Sequence, residues 1–185
     1  AAFEANLMLA DRLLLAGDMD GAGKSLVAAR RKAGTTADIF ETSSRSAMLN
    51  FYAGKYAEMA AEIGECAANA PDGGITNDLL SLRLLFLKAA AAGTIPTFSR
   101  YAGGRYALRR GMEAAGVDSL IAAAADTLSP VSTEAARSLG AFWRGKGDRN
   151  RALAWYDRAV ASHADTTIQA AAVLEAADFR LVELG

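Results

Sequence analysis

The sequence predicts an all-α protein built as a stack of antiparallel helix pairs, and three observations carry that prediction. Apolar residues fall at helical spacing along nearly the whole chain, and no segment alternates like a strand for more than a few residues. The 185 residues are rich in alanine, 52% hydrophobic and hold only 3 prolines. Alanine loses no side-chain entropy in a helix and lets helix axes approach. Above all, one set of positions recurs around Gly17, Gly54, Gly111 and Gly147. Seven places before these glycines stand Ala10, Ala47, Gly104 and Gly140; five places after stand Ala22, Met59, Gly116 and Ala152. Nine places after come Leu26, Ile63, Leu120 and Tyr156, and twelve places after come Ala29, Cys66, Ala123 and Ala159. A small residue, a turn, then small, large and small again is what two close-packed helices need in order to stack on the next pair.

The elements follow in order within a single domain, 1–185. The first pair is expected over about 3–32, with Gly17-Asp18 as its turn and Ala33-Gly34-Thr35-Thr36 as its end. The second covers about 37–68, closed by a break that runs from Asn69 through Pro71 to Gly74. A segment without counterpart follows: Thr76-Asn77-Asp78 as an N-cap run, then an inserted helix over about 79–92, stopped by Gly93-Thr94-Ile95-Pro96. The insertion accounts for the spacing of the glycines, 37, 57 and 36 residues. The third pair covers about 97–127 and the fourth about 132–162, with Leu128-Ser129-Pro130 between them. A terminal helix over about 166–183 completes a count of ten.

These positions resemble the tetratricopeptide repeat, a helix-turn-helix unit of about 34 residues. The fourth unit matches best, with Leu139-Gly140 and Trp143 on the first helix, then Gly147, Ala152, Tyr156 and Ala159. In the second unit, Gly54-Lys55-Tyr56, Ile63, Cys66 and Pro71 fall on the pattern. Asn6 and Arg100 stand where the family often has tryptophan, and Gly116 replaces an alanine, so the chain looks like a divergent member. The match spans most of the chain apart from the insertion and the last helix. The resemblance implies a right-handed superhelix whose first helices line a concave groove. Position by position, Tyr101, Arg105, Arg109, Arg137 and Arg144 are expected to face that groove.

Little else points to chemistry. The net charge is -1, from 20 basic and 21 acidic side chains, so no global field draws the chain to nucleic acid or an anionic membrane. Its longest apolar stretch, 79–92, carries Arg83 and Lys88 and is too short to span a bilayer. Cys66, the lone cysteine, excludes an internal disulfide and a cysteine metal cage. Sharing a position with Ala29, Ala123 and Ala159, it is expected to be buried and inert. The lone His163, with Asp157 and Asp165 nearby in sequence, has no second histidine for a metal site and reads as a partner for final helix carbonyls. Gly17 to Ser25 suggests a phosphate loop, but counting back from Gly23 puts Asp18 where the motif needs glycine. No cofactor, metal or catalytic group is expected.

Two surfaces remain. Arg100, Arg105, Arg109 and Arg110 lie on the first helix of the third unit, Arg137 and Arg144 on that of the fourth. They can hold carboxylates of an acidic peptide or tail, or form a solvated face paired locally with Glu113, Glu134 or Asp148. The inserted helix carries Leu79, Leu80, Leu82, Leu84, Leu85, Phe86 and Leu87 around nearly its whole circumference, which predicts burial. The expected function is therefore a non-catalytic protein-interaction scaffold, adaptor or accessory subunit. Two alternatives stand beside it: a structural subunit docked on a membrane or other complex through its convex or leucine-rich surface, and a nucleotide-binding domain using Gly17–Ser25. The chain begins Ala1-Ala2-Phe3 rather than with methionine. That suggests a processed or partial chain and leans toward an exported, periplasmic bacterial protein over a cytoplasmic one.

Overall fold

A computed structural model describes residues 1–69, 76–162 and 166–184; Pro71, His163 and Asp165 lie outside them. The described residues form ten α-helices and no strand: α1 (Ala2–Ala16), α2 (Met19–Arg30), α3 (Thr36–Tyr52), α4 (Tyr56–Asn69), α5 (Thr76–Ala91), α6 (Ile95–Arg109), α7 (Glu113–Ala124), α8 (Val131–Gly145), α9 (Arg149–Val160) and α10 (Thr166–Phe179). A π-helical turn, Arg180–Leu184, extends α10. The pairs α1/α2, α3/α4, α6/α7 and α8/α9 pack as the recurring positions predict. Thr76-Asn77-Asp78 differs from expectation. These residues form the first turn of α5 rather than a cap ahead of it.

The turns explain where helices stop. Gly17, Gly54, Gly111 and Gly147 all adopt positive φ, between 74° and 93°, a conformation that costs any residue with a Cβ. Each closes a Schellman motif. The Gly17 N–H donates to the Leu14 carbonyl at 3.1 Å and the Asp18 N–H to that of Leu13 at 2.9 Å. The same two bonds recur at Gly54-Lys55, Gly111-Met112 and Gly147-Asp148. A fifth copy, at Gly93-Thr94 with φ 70°, joins α5 to α6. The residue after the glycine also opens the next helix, since its carbonyl accepts from the residue four places on. Asp18 and Asp148 add side-chain caps, accepting from the Gly21 and Arg151 N–H groups.

Packing explains the small and large positions. A Cβ added at Gly140 would lie 2.7 Å from the Tyr156 ring, and one at Gly104 would lie 2.8 Å from Leu120 Cγ. At these two turns the glycine seven places before is thus the seat for the large residue nine places after it. Ala10, Ala47, Leu26, Ile63, Ala152 and Ala159 are all buried. Each fully buried large side chain contributes about 1.5–3 kcal/mol.

The chain divides into two compact units, Ala1–Phe86 and Leu87–Gly185. In the first, α3 stacks on α2, and Tyr56 of α4 meets Phe86 of α5 with ring centroids 5.8 Å apart. In the second, α8 stacks on α7 and α6, and α10 lies against α9 and α8. There Ala152 and Tyr156 form a cluster with Ala176 and Phe179.

Candidate functional site

In the second unit, α6, α8 and α10 bring Tyr101, Arg105 and Arg137 of the expected groove residues into one polar seam. Tyr101 is buried, so its ring belongs to the core and only its hydroxyl takes part. This corrects the expectation that its side chain lines an open groove: the ring is buried and the hydroxyl is turned toward Glu134 of α8. The hydroxyl accepts from Arg105 Nη1 at 2.7 Å and donates to Glu134 Oε1 at 3.2 Å. Burial chiefly, with the nearby Glu134 charge, pushes the phenol up to about 12, so it stays protonated at ordinary pH.

Glu134 in turn holds Arg137 in a two-point pair, with Nε 2.9 Å from Oε2 and Nη2 2.7 Å from Oε1. The remaining arm of Arg137, Nη1, reaches Glu175 on α10. Burial works against the charge, yet the hydrogen bond to Glu134 and the two carboxylates outweigh it and raise the guanidinium further. Arg144, two turns along α8, donates to Asp178 of α10 at 3.3 Å and lies over the Phe179 ring at 5.6 Å. Arg109 is exposed at the end of α6, as are Arg100 and Arg110. Arg110 sits 5.5 Å from the Tyr106 ring centroid.

Of the local acids expected to pair with these arginines, Glu134 does so through Arg137. Glu113 pairs with Lys146, and Asp148 with Arg151. Glu175 and Asp178 were missed. They follow their arginines by 38 and 34 residues, and only the stacking of α10 brings them close.

The leucine-rich helix also departs from expectation. Leu79, Leu85 and Ala89 are buried, but Leu80, Leu84 and Leu87 are 38%, 43% and 50% exposed. Their spacing of four and three residues places them on one face. Burial all round is therefore wrong: α5 buries one face and leaves another open.

Elsewhere the chemistry is spare. The stretch from Gly17 to Ser25 is a helix turn followed by the start of α2, and the Gly21 N–H donates to Asp18 Oδ1 at 2.8 Å. A donor that a phosphate loop would aim at its ligand is thus already held by a carboxylate. Cys66 is buried 3.6 Å from Ser44 Oγ, and burial chiefly pushes its thiol up, away from the reactive thiolate. Among the described residues no group of histidine, cysteine and carboxylate side chains could hold a metal, and no helix is long and apolar enough to cross a membrane. No protein-family model, curated protein or solved structure matches the chain.

Proposed function

We propose that this chain is a non-catalytic protein-interaction module of tetratricopeptide-like construction, a scaffold, adaptor or accessory subunit that takes a partner segment along the first helices of its second unit. The observation that supports this reading is the seam itself. Arg105, Tyr101, Glu134, Arg137 and Glu175 join side chain to side chain across three helices. A segment laid across α6, α8 and α10 would meet fixed, preformed polar groups, and a rigid receptor avoids the cost of ordering on binding. The guanidinium groups of Arg105 and Arg109, on the first helix of this unit, suit an acidic peptide or tail.

Affinity capture from the native source, with R105E/R109E beside the wild type, tests the proposal. A partner lost with the variant while helix content stays unchanged by circular dichroism supports it; undiminished capture sinks it.

A second reading, a structural subunit docked through its leucine-rich helix, is favoured by the exposure of Leu80, Leu84 and Leu87. Scattered exposed leucines are ordinary, whereas three on one helix face form a patch. Under this reading L84E abolishes assembly and R105E/R109E leaves it intact.

A further inference from the structure

Helix α10 meets the arginines of α8 with unequal halves. Its underside is apolar and well seated: Ala172, Ala176 and Phe179 are fully buried, and the Phe179 ring lies 5.6 Å from that of Tyr156. Its charged contacts are less complete. Glu175 gives one oxygen to Arg137, while its other oxygen is buried with no hydrogen-bond partner among the described residues. A carboxylate oxygen taken from water without a partner costs free energy that a solvent-facing carboxylate would not lose. Asp178 meets Arg144 Nη1 at 3.3 Å, and its side chain is 58% exposed. Both arginine side chains keep about a third of their surface exposed, 28% and 32%, and so can be reached from solution.

We propose that Glu175 and Asp178 act in cis as stand-ins for a partner's carboxylates, so that an acidic segment binds the second unit by taking Arg137 and Arg144 from α10. The exchange concerns the ion pairs alone; the apolar underside of α10 stays in place. This rests on the interaction reading above and adds a built-in competitor to it. The competitor makes the unmodified protein a weak receptor and sets a threshold that only a segment with several carboxylates passes.

The test uses the full chain and a fluorescein-labelled hexaglutamate peptide, followed by anisotropy at low and physiological ionic strength. E175Q/D178N should tighten binding about tenfold, the scale of two half-exposed ion pairs freed of their competitor. Adding R137Q/R144Q should erase the gain. E4Q/D20N, an equal change of net charge at exposed sites of the first unit, should give none. If E175Q/D178N binds no more tightly than wild type, and R105Q/R109Q weakens both, the interaction reading stands and the competitor is refuted. A gain matched by E4Q/D20N, or one that survives R137Q/R144Q in a folded protein, also overturns it. Should R137Q/R144Q lose helix content, the comparison of E175Q/D178N with E4Q/D20N decides. Binding by none of the proteins overturns both readings.

Discussion

The two units use the same turn and the same order of small and large residues, yet they seat their helices differently. In the first unit the small residue facing the long side chain is alanine, Ala10 with Leu26 and Ala47 with Ile63 in the recurring order. In the second it is glycine, Gly104 with Leu120 and Gly140 with Tyr156. In the second unit a methyl group has no room at either place: a Cβ would lie 2.8 Å from Leu120 Cγ and 2.7 Å from the Tyr156 ring. Charge is arranged differently too. Polar contacts in the second unit run along first helices as a connected seam. In the first, Arg45 bridges Asp11 and Glu41 on one side, while Glu62 keeps a buried oxygen without a partner among the described residues. One grammar of packing thus accepts different vocabularies, with alanine or glycine at the small place and leucine, isoleucine or tyrosine at the large one.

The largest effect should come from breaking that coupling. Gly140→Ala gains about 1 kcal/mol of helix propensity but forces a methyl into the Tyr156 ring, and overpacking costs about 1–3 kcal/mol. We expect a net loss of about 1–2 kcal/mol in urea unfolding. In a Tyr156→Leu background, which copies the first unit's pairing, the same substitution should be neutral or stabilising. The interaction energy from the double-mutant cycle should therefore exceed about 1 kcal/mol. The mirror change, Ala47→Gly, should cost about 1 kcal/mol with no comparable coupling to Ile63→Leu. Additive behaviour at 140 and 156 would show that the glycine is not there to seat the ring.

The next effect is common to both units and tests what they share. Gly54→Ala in the first and Gly147→Ala in the second place a Cβ on a left-handed turn residue at φ 74°. Each should cost about 1–2 kcal/mol, and the two losses should agree closely. Neither site has crowding to complicate the reading. A Cβ at Gly147 meets nothing within 4 Å, and one at Gly54 meets only the Tyr56 hydroxyl at 4.0 Å. A loss in one unit alone would show that the shared turn is not doing the same job twice.

These shared features are what the sequence makes legible. A glycine at positive φ and a small residue beneath a large one are local constraints, so their spacing marks the helices to within a few residues. The fifth turn, Gly93-Thr94, escaped as a member of the set because Phe98 stands where the others have mostly small residues. The candidate site was half legible. The position of the arginines on α6 and α8 follows from the repeat, but whether a guanidinium faces solvent or a carboxylate depends on which chain lies opposite. For Arg137 that is Glu175, on another element and 38 residues away. The open face of α5 was hidden for a related reason: leucines all round a helix do not reveal which side finds a neighbour.

The smallest effect concerns Glu62 and separates the units by pH. Burial chiefly, then the charge of Glu65, raises this carboxyl above the usual glutamate range, against the opposing pull of Arg30 and a hydrogen bond with Ser43. A group whose folded pKa lies above its unfolded value favours folding most below the unfolded pKa. That contribution is lost as pH rises through the folded value. At neutral pH the ionised Glu62 is therefore a burden on α4, and Glu62→Gln should raise the melting midpoint there. The difference between variant and wild type should close as pH falls into the ordinary glutamate range, where both side chains are neutral. Effects of carboxylates that do not interact with Glu62 are common to the two proteins and cancel. A midpoint gain that persists unchanged at acid pH would assign the effect to packing rather than charge. A loss at neutral pH would show that the charged form is the one the first unit requires.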